Sequence, residues 1–135
     1  MIDDVLLNKS VIIKRCIKRI HEEYDGNPEN LHNYTKQDSI ILNLQRACEA
    51  CIDLAMHLVA EKDLGLPQTS RQSFELLQQN NIIDGELADR LKAMVGFRNV
   101  AVHDYQNISL NILQKIIECH LKDLEFFVNT LKKLK

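Results

Sequence analysis

Apolar residues recur along this chain at steps of three, four and seven, the spacing that gathers side chains on one face of an α-helix. Between Asp4 and Tyr24, the positions Leu6, Ile13, Ile17, Ile20 and Tyr24 share such a face and predict a first long helix. The turn formers Asp25-Gly26-Asn27-Pro28 end it. Thr35-Lys36-Gln37-Asp38 has the form of a capping box and is expected to open a second long helix. Ile41, Leu44, Cys48, Cys51, Ala55 and Leu58 carry its stripe up to Gly65-Leu66-Pro67, where glycine supplies the stop and proline blocks continuation.

A short helix is predicted from Ser70 to about Gln79, with Phe74 and Leu77 as its apolar contacts and Asn80-Asn81 closing it. Asp84 is placed to cap a further helix bearing Leu87, Leu91, Met94 and Val95. The last helix opens at Ser109 and runs almost to the end on Leu113, Ile117, Leu121, Leu124, Val128 and Leu131. The expected fold is therefore all-α, with four main helices and one short one. Short connections favour antiparallel neighbours, which makes an up-down helical bundle the natural architecture.

Length and composition agree with this picture. A chain of 135 residues fits one domain, 1–135, with a single sizeable core. Four glycines and two prolines leave few places to break a helix. Met1-Ile2-Asp3-Asp4 is acidic where a signal peptide would be basic, and no apolar run approaches the ~18 residues of a membrane span, so a cytoplasmic location is expected.

The net charge of -2 argues against a protein that coats nucleic acid with its whole surface, so an RNA partner would have to be held locally. One strip of the first helix, Lys14, Arg15, Lys18 and Arg19, is basic; it reads as a solvated face or as a phosphate-contacting surface. Cys16, Cys48, Cys51 and Cys119 all fall inside helical patterns and read as small buried hydrophobes. Cys48-Glu49-Ala50-Cys51 has C-x-x-C spacing, yet it lacks a second pair and lies mid-helix, whereas structural zinc sites usually place such pairs on turns.

The chemistry concentrates where the fourth helical pattern stops, in Arg98-Asn99-Val100-Ala101-Val102-His103-Asp104-Tyr105. Arginine neutralises phosphate, and histidine moves protons near neutral pH. On an ideal helix, five residues separate Arg98 from His103 by about 140° of rotation and ~7.5 Å of rise, so the two would not share a face. Either the helix ends between them, letting His103 turn back, or two chains cooperate.

Such a pair suits metal-independent cleavage of RNA. The imidazole would take the proton of a ribose 2′-hydroxyl, and the guanidinium would stabilise charge building on the phosphorus. The product would carry a 2′,3′-cyclic phosphate, and no metal or other cofactor is called for. By spacing alone such a pair is more commonly a helix cap or surface ion pair, and Tyr105 most simply a partly buried amphipathic residue. His57 and His120 read as flanking the core or an interface. Two other readings are a non-catalytic helical interaction module and a metal or redox protein using Cys48, Cys51 and histidines.

Arg98 to Tyr105 is similar to the R-N-x-x-x-H-x-Y signature of HepT-like proteins, a branch of the HEPN superfamily. Asn43 to Asp53, Pro67 to Phe74 and Lys92 to Phe97 resemble that family as well. The resemblance implies an RNA endonuclease toxin of a type VII toxin–antitoxin pair, silenced by an MntA-type nucleotidyltransferase encoded beside it. It implies catalytic roles for Arg98 and His103, and in Asn99 a weaker assignment to positioning of the phosphate or of His103. Tyr105 would be where the antitoxin attaches AMP, with Tyr24 and Tyr34 open as alternatives. It also implies a two-fold homodimer whose paired motifs line one cleft, which would let the Arg98 of one chain face the His103 of its partner.

Overall fold

The computed structural model describes residues 3–134; Met1, Ile2 and Lys135, including the first half of the acidic N-terminal stretch, lie outside the described residues. Among the described residues the secondary structure is helical throughout. The helices are α1 (Asp4–Tyr24), α2 (Tyr34–Glu61), α3 (Ser70–Gln79), α4 (Gly85–His103), α5 (Leu110–Lys115) and α6 (Leu121–Lys132). A π-helical turn, Ile116–His120, joins α5 to α6 without a loop, so the last three segments act as one long rod.

Local capping explains most boundaries. The carboxylates of Asp3 and Asp84 and the Ser109 hydroxyl accept from the amides of Leu6, Leu87 and Ile112, at 2.8, 2.8 and 3.3 Å. They occupy amides that no helical turn can satisfy. The start of α2 differs from expectation. Asn33, not Thr35, caps it by accepting from the Lys36 amide at 3.0 Å, and the helix begins at Tyr34. Pro28–His32 forms a 3₁₀ turn just before, so the chain enters α2 already turning and Asn33 is the first free side chain. At the other end α2 stops at Glu61, four residues before Gly65, because Lys62 caps it and Asp63 takes a left-handed conformation.

Contacts between the helices fix their directions. Lys9 of α1 pairs with Asp53 of α2, and Asp3 meets His57, so α1 and α2 run antiparallel. Arg98 near the end of α4 reaches Glu49, Tyr105 reaches Asp38, and Tyr24 at the end of α1 reaches Glu118. The result is the up-down bundle. Every stripe residue named above is buried, as are Phe74 and Leu77. No helix among the described residues is long and apolar enough to cross a membrane.

Phe74 of α3 and Phe127 of α6 meet edge to face in the core, with ring centroids 5.6 Å apart. Both are fully buried, so Phe127→Ala removes a whole ring and leaves a cavity that its neighbours fill only in part. We expect a loss of about 3–5 kcal/mol in urea-induced unfolding.

The cysteine expectation needs one correction: Cys16, Cys48 and Cys51 are buried, but Cys119 is exposed. It lies in the π-helical turn, on the side turned away from the buried stripe of Leu113, Ile117 and Leu121. Burial pushes the Cys48 thiol up to about 12 and the Cys51 thiol well above its ordinary range, and both sit within the core cluster. The basic strip Lys14, Arg15, Lys18 and Arg19 is exposed along α1.

Candidate active site

The position of Arg98 depends on a close approach between α3 and α4. Gly96 has no side chain, and a Cβ there would lie 2.9 Å from Arg71 Nη2. Arg71 therefore crosses the α4 backbone and donates from Nε to the Lys92 carbonyl at 3.4 Å. This seats the first turn of α3, with Ser70, beside Arg98. Arg98 Nη2 donates to Ser70 Oγ at 3.3 Å, and Nη1 lies 3.7 Å from Glu49 Oε2 on α2. Its Nε is buried without an acceptor among the described residues, while 23% of the side chain remains exposed.

Arg98 is thus held loosely. Both of its contacts are longer than a strong charge-assisted bond, and one donor is unmet. It lines a cavity of about 320 Å³ together with Glu49, Ile52, Asp53 and Ser70. A buried donor without an acceptor costs about 1–3 kcal/mol, which the fold tolerates here.

His103 is the last residue of α4, as the loss of apolar period predicted, and the Asp104 amide closes the helix on the Val100 carbonyl at 2.8 Å. Its ring is exposed and makes no hydrogen bond or ion pair among the described residues. Asn99 is likewise exposed. The helix does not break between Arg98 and His103, so the route in which a frayed end turns the imidazole back is not taken. Arg98 is directed at α2 and α3, and His103 at solvent.

Tyr105 follows in a 3₁₀ turn, Tyr105–Asn107, which Asn107 pins by donating from Nδ2 to the Asp104 carboxylate at 2.8 Å. Its hydroxyl donates to the carboxylate of Asp38 in the second turn of α2. Partial burial, and then the bond to Asp38 and that group's charge, push the phenol up to about 12. Since this lies above the ordinary value near 10, the contact stabilises the fold fully below pH ~10 and is lost as pH rises through about 12. Ultraviolet titration should therefore lose one ionisation near pH 12 in Tyr105→Phe, and in Asp38→Asn that ionisation should move down. Identical curves for all three proteins would contradict the contact.

Three participants, Asp38, Glu49 and Ser70, carry no signal of the site in the sequence. Asp38 reads as part of a capping box, Glu49 as filler between two cysteines, and Ser70 as a helix start. Only their placement across 67, 49 and 28 residues from their partners gives them a role at the site. His57 is half-buried against Asp3 and Glu61, and this trio is the group among the described residues that could hold a metal. Along α2 it lies ~12 Å of helical rise beyond Glu49. His120 pairs with the buried Asp123 at 3.1 Å, which Arg90 also contacts at 3.3 Å.

The family profile described as Ribonuclease HepT-like matches residues 13–131. This chain belongs to the ribonuclease HepT-like family. Among HepT-like relatives, the mRNA nuclease HepT of Shewanella oneidensis is 52% identical over 130 residues, covering 96% of this chain and 98% of that protein. The tRNA nuclease HepT of Aphanizomenon flos-aquae is 29% identical over 85 residues, covering 63% of this chain and 58% of that protein. A solved structure of the tri-AMPylated Shewanella oneidensis HEPN toxin in complex with its MNT antitoxin superposes with a TM-score of 0.92. It is 51% identical and covers 98% of this chain and 99% of that one. The HepT-like fold and the R-N-x-x-x-H-x-Y stretch thus occur together in this chain.

Proposed function

We propose that this HepT-like chain is a metal-independent RNA endonuclease, the toxin of a toxin–antitoxin pair, with 1–135 forming a single domain in the cytoplasm. The observation that carries the reading is the under-satisfied Arg98 guanidinium on the same helix as an exposed His103 without a side-chain partner among the described residues, in a chain 52% identical to a named mRNA nuclease. His103 takes the proton of the ribose 2′-hydroxyl as that oxygen attacks the adjacent phosphorus. The bond from phosphorus to the 5′-oxygen then breaks, leaving a 2′,3′-cyclic phosphate. Arg98 supplies donors to the non-bridging oxygens as their charge builds, exchanging the loose Glu49 and Ser70 contacts for phosphate. Asn99, exposed one residue on, positions the phosphate.

Because Arg98 and His103 point apart on an unbroken helix, the working site is built between two chains of a two-fold homodimer. The exposed Val100 and Val102 on the same stretch of α4 supply apolar surface for that contact. Tyr105 is the residue to which an MntA-type nucleotidyltransferase antitoxin adds AMP, placing bulk and negative charge two residues from His103, where the substrate phosphate must lie. RNA cleavage by wild type compared with Arg98→Ala and His103→Ala tests this reading: equal activity in all three would end it in favour of a non-catalytic interaction module.

A further inference from the structure

The chain has three tyrosines, and their surroundings differ sharply. Tyr24 is 4% exposed, with its hydroxyl on Glu118 inside the bundle. Tyr34 is 80% exposed, and its hydroxyl has no partner among the described residues. Tyr105 is 39% exposed and its hydroxyl is already bonded to a carboxylate, that of Asp38. A partner enzyme cannot reach Tyr24, and no group among the described residues is hydrogen-bonded to Tyr34 to take its proton. Tyr105 is the one among them that combines access with a proton acceptor. Asp38 is itself exposed and has no other hydrogen-bond or ion-pair partner among the described residues, so its oxygens are free to receive that proton.

Resting on the reading of Tyr105 above, we propose that Asp38 is the general base for its own chain's modification, so that the toxin supplies half of the chemistry that silences it. The phenol stays protonated at neutral pH and is a weak nucleophile in that form. As Tyr105 Oη attacks the α-phosphorus of a nucleoside triphosphate held by the partner nucleotidyltransferase, a new O–P bond forms. The bond from that phosphorus to the pyrophosphate oxygen breaks, pyrophosphate leaves with the electron pair, and the phenolic proton passes to Asp38. Asp38 then releases it to water. The product oxygen has no proton to donate, and the phosphodiester is anionic. The bond to Asp38 is thus replaced by repulsion, and the modified side chain is driven away from α2.

Asn at this position keeps the shape and the accepting oxygen of Asp but is a far poorer base. The purified chain is mixed with its cognate nucleotidyltransferase and magnesium ATP, and AMP addition is followed by intact mass over time. For Asp38→Asn, kcat for addition should fall by about 10²-fold or more, with KM for the toxin chain little changed. Asp38→Glu should recover part of the rate, and thermal unfolding should be alike in all three. An Asp38→Asn chain modified at the wild-type kcat overturns the proposal, and so does a loss confined to KM, which would make Asp38 a docking contact. Wild-type chain that gains no AMP at Tyr105 instead overturns the underlying reading of that tyrosine, and Asp38 with it.

Discussion

Replacing His103 by alanine is expected to lower RNA cleavage by about 10²–10⁴-fold, the contribution usual for a positioned general base. The fold should be untouched. His103 is exposed at the last position of α4 and its ring has no partner among the described residues, so it can be deleted without opening a cavity or stranding a partner. Thermal unfolding within experimental scatter of wild type, beside a lost turnover, separates chemistry from structure. Arg98→Ala should cost about 10²–10³-fold, but it also removes the partner of Ser70 and Glu49 and opens the floor of the adjoining cavity. His103 is therefore the cleaner probe.

The second large effect concerns where the two residues meet. If one chain supplied both, a heterodimer of Arg98→Ala and His103→Ala subunits would hold two crippled sites. If each site pairs the Arg98 of one chain with the His103 of its partner, the same heterodimer has one doubly defective site and one intact site. Two differently tagged variants, co-expressed and purified as the heterodimer, should then show about half of wild-type activity, while each variant homodimer is nearly inactive. The expected rise over either homodimer is tenfold or more. A heterodimer as inactive as its parents would place the site within one chain. The unbroken course of α4 through His103 is what favours the composite arrangement.

Much of this bundle was legible from periodicity, because each long helix buries a single stripe and such stripes repeat visibly: Leu6 to Tyr24 in α1, Leu113 to Leu131 in the final rod. Capping residues at Asp84 and Ser109 were legible for a similarly local reason, since the side chain bonds an amide three residues on. At α2 the capping-box pattern at Thr35 is not the cap that forms; Asn33 is, because a 3₁₀ turn without an apolar signature precedes it. The π-helical turn was hidden too. The stripe continues across it from Leu113 through Ile117 to Leu121 at the same four-residue steps, so the pattern carries no mark of the wider winding.

The site divides in the same way. Arg98, Asn99, His103 and Tyr105 stand within eight residues and announce themselves by type and spacing. Their surroundings come from elsewhere: Asp38 and Glu49 from α2, Ser70 from the start of α3. No local pattern joins residues 67 positions apart. The helix geometry that makes Arg98 and His103 diverge follows from their spacing, whereas the continuous course of α4 to His103, which removes the broken end, depends on tertiary structure.

The most direct test is the chemistry of the cut ends. Purified toxin chain, free of AMP and in the presence of a metal chelator, is incubated with an RNA and with DNA of the same sequence, and the fragments are analysed by mass. Only RNA should be cut, leaving a 2′,3′-cyclic phosphate and a 5′-hydroxyl, with the products absent for His103→Ala. Fragments ending in a 3′-hydroxyl and a 5′-phosphate, cleavage of the DNA, or undiminished cutting by His103→Ala would contradict this mechanism.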